Sequence, residues 1–252
     1  MKFSIITATM NSEKFLSQAI ESVREQKVDA EVEYIIVDGG STDGTLSLIK
    51  KNLSVISNYV SEKDAGLYSA LNKGIKMSTG DIIGFIHSDD KLAHPSVLQH
   101  YQDAFLEHGC DAAYADLVIK TRESEGREVR YWKSKPYAKG DFLQGWMPPH
   151  PTFYVKKSVY EKLGVFRTDM SHAADYELML RFMHLHEIST HYLDKTMVNM
   201  REGGLSSRSL LGRLRATQQD RYAWKVNCLK APILLNAKKT LSKIHQFKFF
   251  KA

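Results

Sequence analysis

Residues 79–90, TGDIIGFIHSDD, run an apolar stretch of strand length straight into two adjacent acids, Asp89 and Asp90. A strand that has simply reached water and begun a turn would look this way. So would a strand end that presents carboxylates to a ligand. The segments on either side decide between the two.

Three runs rich in β-branched and aromatic residues precede it: FSIITAT (3–9), VEYIIVD (32–38) and SNYVSEKD (57–64). Between them lie segments with helical spacing. SEKFLSQAIESVREQ (12–26) repeats Phe15, Ala19, Ile20 and Val23 on one face, and TLSLIKKNL (45–53) and AGLYSALNKGIKMS (65–78) follow. Asn11 or Ser12 is placed to cap the first helix, and Thr42 or Asp43 the second. Strand and helix patterns in alternation predict an α/β fold with a parallel sheet. Asp38, Asp64 and the Asp89–Asp90 pair then all fall at the carboxyl ends of strands. That is the edge where open α/β sheets bind ligands.

The loop GGSTDGT (39–45) narrows the ligand. A dinucleotide fingerprint needs G-x-G-x-x-G, and Ser41 stands where its second glycine belongs. A P-loop needs lysine after its second glycine, and Thr45 is there instead. What is left is an acid ending a strand and a tight turn, a place where a carboxylate can accept hydrogen bonds from a base or a ribose.

The 252 residues, 43% hydrophobic and 25% charged, can bury a full core and are ordinary for a soluble globular protein. MKFSIITATMNSEKF reads as a first strand rather than a signal peptide, because Asn11, Ser12 and Glu13 follow its short apolar run. Cys110 and Cys228 form neither a disulfide framework nor a metal spacing, which fits a reducing compartment. Charge is unevenly spread. After Gly212 ten cations face the single acid Asp220, a net of +9 that leaves −3 for residues 1–212 of the chain's +6. The acidic body argues against a nucleic-acid-binding face.

The ordered segments SIITATMN, VDGGSTDGT, SEKDAGLYSALNKGI and GDIIGFIHSDD resemble the nucleotide-sugar-binding half of the family 2 glycosyltransferases. PPHPTFYVKKSVYEKLGVF (148–166) and HAADYELMLR (172–181) are similar to the acceptor half of members that build bacterial surface polysaccharides of the colanic acid or O-antigen type, and extend the likeness to about residue 207. The resemblance implies a GT-A-like nucleotide-diphospho-sugar transferase fold: a mostly parallel central sheet flanked by helices, with a C-terminal helical extension. It divides the chain into a nucleotide-sugar half (1–120), an acceptor- and base-carrying half (121–209) and the basic extension (210–252).

The resemblance also implies roles. Thr7, Ala8 and Thr9 would pack against the nucleobase, Asp38 would hold the uracil or ribose, and Asp64, Asn72 and Lys73 would face the nucleotide and its diphosphate. HSDD corresponds to the family's D-x-D-type motif with Ser88 at the first position, which leaves Asp90 for Mg²⁺ or Mn²⁺ and Asp89 for the ribose. Asp175 corresponds to the base that deprotonates the acceptor in an inverting single displacement; the plain alternative is a first-turn acid favoured by the helix dipole. Trp146, His150, His172 and Arg201 would lie on the acceptor or diphosphate side, with packing roles as the alternative.

The donor would be a nucleotide sugar, UDP-linked, and the acceptor a saccharide or a polyprenyl-diphosphate-linked saccharide. The extension mixes its cations with Leu229, Ile233, Leu234 and Leu235, and Pro232 is expected to break its helix near Ala231. Such an element can lie on an anionic membrane, giving a cytoplasmic protein attached peripherally to the inner face, or it can pack on the domain. Two other functions remain: a catalytically silent sugar-nucleotide binder, and a glycosidase. The second is disfavoured because adjacent acids do not face each other across a cleft.

Overall fold

The computed structural model describes residues 1–123, 126–203, 210–242 and 246. β1 (Lys2–Thr9), β2 (Glu31–Asp38), β3 (Asn58–Ser61) and β4 (Ile82–Phe85) are joined by α1 (Leu16–Arg24), α2 (Thr45–Lys51) and α3 (Leu67–Met77). The four strands are parallel in the order β3-β2-β1-β4, as the alternating pattern implies. Thr9 pairs with Asp38 and Asp38 with Ser61, so the strand ends are level. The chain winds outward from β1 to β3 and then jumps back to β4 on the other side of β1. This reversal opens a crevice at the carboxyl ends of β1 and β4.

Two helices start differently from the expectation. α1 begins at Leu16, and neither Asn11 nor Ser12 caps it. Asn11 takes a positive φ and its Oδ1 accepts the Thr42 amide at 2.8 Å, while Ser12 Oγ lies 2.9 Å from Ser88 Oγ. Both side chains tie the first loop to its neighbours instead. α2 has Gly44 at its N-cap and no side-chain cap; Asp43, one residue further out, accepts the Thr45 amide at 3.0 Å.

After β4 the chain continues through β5 (Lys91–Leu92), α4 (Val97–His108), β6 (Ala112–Lys120), β7 (Glu128–Trp132), β8 (Tyr154–Lys156), α5 (Lys157–Leu163), α6 (Ala174–Met179) and β9 (Thr190–Arg201). The sheet extends as β4-β8-β6-β9-β5, with β7 on β6. β8 runs antiparallel to both β4 and β6, β5 and β7 are antiparallel to their partners, and β6 and β9 are parallel. The second half of the sheet is therefore mixed, where the expectation was of mostly parallel pairing. Short strands such as β8, with three residues, carry too little pattern to reveal their direction.

One buried cluster runs through both halves. Gly84 is needed at the seam between them, since a Cβ there would sit 2.2 Å from the Tyr154 ring. α6 widens into a π-helical turn over Leu180–Leu185.

The extension forms α7 (Leu210–Val226) and α8 (Leu235–Leu241). α7 ends five residues before the expected break at Ala231. Cys228 sits at φ 56°, its amide bonds to the Lys225 carbonyl and the Leu229 amide to the Trp224 carbonyl, so the helix closes in a Schellman motif before Pro232 is reached. The rest of the loop expected at 201–207, beyond Gly203, lies outside the described residues, as do the tail's last cations and phenylalanines.

Candidate active site

The donor-side loops hold their own acids in place. Asp38 is fully buried, and its carboxylate accepts from the Ser41 amide (3.1 Å), the Ser41 hydroxyl and the Ser61 hydroxyl (2.6 Å). It fixes the GGS turn beside β3. Asp64 Oδ1 pairs with Lys73 Nζ at 2.6 Å, and Glu62 meets the same ammonium at 2.7 Å. The bond to Asp64, then that to Glu62, raises the Lys73 pKa, so it stays a cation. Asp64 Oδ2 is buried without a partner. Such an oxygen is costly unless a ligand reaches it.

Other expected donor residues are committed to the fold. Thr7 Oγ1 donates to the Ile86 carbonyl at 2.7 Å and meets Tyr34 Oη at 3.0 Å, stitching β1 to its neighbours. Ala8 and Thr9 are buried at the strand end, and Thr9 Oγ1 has no partner. Asn72 uses both ends of its amide on the Phe166 backbone, donating to its carbonyl at 2.8 Å and accepting its amide at 3.0 Å. It positions the segment before α6 rather than facing the crevice.

At HSDD the two acids separate. Asp90 is 3% exposed; its Oδ1 accepts the Arg201 amide at 2.9 Å and its Oδ2 is buried without a partner. Burial, then the charge of Asp89, pushes its carboxyl well above the usual range. Asp89 is half-buried, lies 3.7 Å from Arg122 Nη1, and helps line a pocket of about 250 Å³ with Lys91, Lys120 and Arg201. The Arg201 guanidinium donates to the carbonyls of Arg122 and Glu123 and to Gln18 Oε1.

A divalent cation would meet carboxylate oxygens at this corner. The orphaned Asp90 Oδ2 and the more open Asp89 would be its donors, and among the described residues no three metal-ligating side chains converge. Such a sparse set suits an ion that keeps water and phosphate ligands.

A second group of side chains converges on Asp175, in the first turn of α6. Tyr68 on α3 donates its hydroxyl to Asp175 Oδ1 at 3.1 Å and to the His172 carbonyl at 2.8 Å. Burial, then the Asp175 charge, raises the Tyr68 pKa well above its usual value and keeps it a phenol. His150, on a short 3₁₀ turn between prolines, places Nδ1 3.3 Å from Asp175 Oδ2. Its Nε2 lies 3.4 Å from His87 Nε2. Burial, then the His150 charge, pushes the His87 pKa down to about 4, so His87 is neutral at neutral pH.

Asp175, His150, Tyr68 and His87 thus join the β4 end to the α6 start. His172 borders this group through its backbone, while its ring meets Ser171 Oγ at 2.8 Å. Trp146 packs with Tyr137, Tyr114 and Phe142 in an aromatic cluster.

Sequence reasoning passed over Tyr68, His87 and Gln219 as site residues. Gln219 on α7 accepts the amides of His172 (2.8 Å) and Ala173 (3.3 Å), so the extension braces the segment that leads into Asp175. Only His87 carried a local signal, standing two residues before Asp89.

The strand order, the switch between β1 and β4 and the row of acids define a GT-A-like fold of the nucleotide-diphospho-sugar transferase class. The chain belongs to glycosyl transferase family 2, whose description matches residues 4–168. It is 29% identical over 183 residues to an uncharacterized glycosyltransferase of Mycobacterium tuberculosis (strain CDC 1551 / Oshkosh), covering 71% of this chain and 67% of that one. The fold is similar to that of Staphylococcus aureus TarS 1–349 in complex with UDP-GlcNAc, with a TM-score of 0.71 at 21% identity over 94% of this chain and 69% of that one. This chain spans 41% of the longer TarS chain. The mannosyltransferase PcManGT from Pyrobaculum calidifontis, in complex with GDP-Man and Mn²⁺, shares the fold at a TM-score of 0.65 and 19% identity, covering 95% and 69% of the two chains.

Proposed function

We propose that the chain is an inverting hexosyltransferase that moves a sugar from a UDP-sugar to a hydroxyl of a saccharide or lipid-linked saccharide in bacterial surface polysaccharide biosynthesis. The observation that carries this reading is Asp175, held by Tyr68 Oη at 3.1 Å and His150 Nδ1 at 3.3 Å beside the carboxyl end of β4. UDP is favoured as the nucleotide by the likeness to TarS, whose solved complex holds UDP-GlcNAc.

In this mechanism the Asp175 carboxylate takes the proton of the acceptor hydroxyl as its oxygen bonds to the anomeric carbon. The bond from that carbon to the diphosphate oxygen breaks on the opposite face, UDP leaves, and the configuration inverts. Tyr68 and His150 hold the carboxylate in one orientation and limit its search. A divalent ion held by Asp89 or Asp90 would supply neutralising charge for the leaving diphosphate.

Incubation with UDP-sugars, saccharide acceptors and Mg²⁺ or Mn²⁺ tests the reading. UDP release that depends on acceptor, with an inverted anomeric signal in the product by NMR, is the expected result. Binding of a UDP-sugar without acceptor-dependent UDP release would make the chain a silent binder of the same fold. The same reading places the extension at an anionic membrane on the cytoplasmic side, where a polyprenyl-linked acceptor would be met. Its support is the exposure of Ile233 (87%), Leu234 and Leu241 close in sequence to Lys230 and Lys238. Among the described residues no helix is long and apolar enough to cross a membrane.

A further inference from the structure

We propose that His87 and His150 form a two-nitrogen site for a divalent transition-metal ion, which makes the chain prefer Co²⁺, Zn²⁺ or Mn²⁺ over Mg²⁺. The inference deepens the proposed function, on which it rests for the ion's role but not for its binding.

The two Nε2 atoms are 3.4 Å apart. Two nitrogen ligands, each about 2.0–2.1 Å from one tetrahedral ion, are separated by roughly 3.3–3.4 Å, so an ion fits with little movement of either ring. The rings are tilted by 55° with centroids 5.5 Å apart, presenting nitrogen to nitrogen. A second histidine pair shows the contrast: His108 and His191 stack face to face at 3.8 Å and 14°.

The outer side of His150 is also arranged for ligation. Its Nδ1 faces Asp175 Oδ2 at 3.3 Å, and a carboxylate on the far nitrogen fixes the tautomer that leaves Nε2 a lone pair. His87 lies two residues past β4 and two before Asp89, so the nitrogen pair is carried by the same strand-end loop as the acid pair. Imidazole suits Zn²⁺ and its neighbours, whereas Mg²⁺ takes oxygen ligands and holds its water. Among the described residues no third ligand converges on the pair, so water or a donor phosphate completes the coordination. The other arrangement that fits 3.4 Å is an ordinary hydrogen bond between two neutral rings.

The test titrates the chelator-treated full chain, without nucleotide, with Co²⁺ and follows its visible d–d absorption. Zn²⁺ should displace the Co²⁺, Mn²⁺ should do so only in large excess, and Mg²⁺ should not. His87→Ala and His150→Ala should each weaken Co²⁺ binding at least about 10-fold, Asp175→Asn about 10-fold through the outer shell, and His191→Ala not at all. In the unsubstituted protein Zn²⁺ should move the imidazole ¹⁵N signals of two of the ten histidines, a readout independent of how the variants fold.

Absence of that ¹⁵N shift, unchanged Co²⁺ affinity in both histidine variants, or displacement by equimolar Mg²⁺ would overturn the site and leave the hydrogen bond. Equal turnover of the unsubstituted chain with Mg²⁺ and with Mn²⁺ would overturn the metal preference while leaving Asp175 as the base. A chain that binds Co²⁺ through both histidines yet transfers no sugar would support the site and remove the activity.

Discussion

Asp38 and Asp175 are both acids at the carboxyl edge of one sheet, and they are held by opposite means. Asp38 is gripped by small hydroxyls, from Ser41 three residues away and Ser61 on the adjacent strand. Asp175 is gripped by two rings, from Tyr68 and His150, that lie 107 and 25 residues away. The first arrangement fills the lone pairs of a buried acid and makes a rigid turn. The second leaves the side chain 23% exposed and oriented, which is what a base needs if it is to meet a hydroxyl from outside. On the proposed reading, the same residue type serves as scaffold at Asp38 and as base at Asp175.

The comparison breaks most directly at Asp175. Asp175→Asn should lower turnover by about 10²- to 10⁴-fold while UDP-sugar affinity by calorimetry stays close to that of the unsubstituted chain. Equal losses in affinity and turnover would make Asp175 a second scaffold acid like Asp38.

The next largest effect concerns the brace behind it. Trp224 on α7 is 1% exposed and donates Nε1–H to Tyr176 Oη at 2.9 Å, and Asn227 donates to Glu177 Oε1 at 3.0 Å. The extension is therefore packed on α6, the helix that carries Asp175. Trp224→Ala should cost about 3–5 kcal/mol in chemical denaturation, with one transition for the whole chain. Two transitions, only the first moved by the substitution, would show that the extension folds apart from the domain.

A smaller effect is expected at the donor-side acid. Ser61→Ala removes the 2.6 Å bond to Asp38 and leaves a buried carboxylate one donor short. Stability should fall by about 1.5–3 kcal/mol, the usual worth of a hydrogen bond to a charged group. A loss in the denaturation midpoint well below that range would mean Asp38 is held mainly by Ser41.

These differences also explain what could be read in the sequence. The parallel half was legible because its strands are runs rich in β-branched residues, three of them leading into the acids Asp38, Asp64 and Asp89–Asp90, and its helices show period 3.6, signals contained within about fifteen residues. The mixed half was not, because the direction of a three-residue strand depends on Tyr154 packing against Gly84, seventy positions earlier. At the site, Asp38, Asp64 and the acid pair stood out by position, yet nothing local indicated that Asp90 would turn inward to the Arg201 amide or that Asn72 would bond to Phe166. His87 shows the limit best. Its neighbours in sequence are acids, but its partner in space is a histidine 63 residues on, which only the β4–β8 pairing brings near.

The exposed side of the extension supplies the smallest effect on the fold and a separate test of its surface. Its buried side, with Trp224, Leu235 and the Lys239–Asp220 pair at 2.6 Å, is fixed to the domain, whereas Ile233 and Leu234 project at the loop before α8 and Leu241 at the end of that helix. Substituting Ile233 and Leu234 by serine should change stability by no more than about 0.5 kcal/mol per site, because neither side chain is packed. If the loop lies on an anionic membrane, the same pair of changes should abolish cosedimentation with phosphatidylglycerol vesicles at low salt, since burial of each side chain contributes up to roughly 1.5–3 kcal/mol and each nearby cation about 1 kcal/mol. Binding that survives both serines but vanishes in high salt would assign attachment to the lysines alone. Absence of binding in the unsubstituted chain would confine the extension to bracing α6.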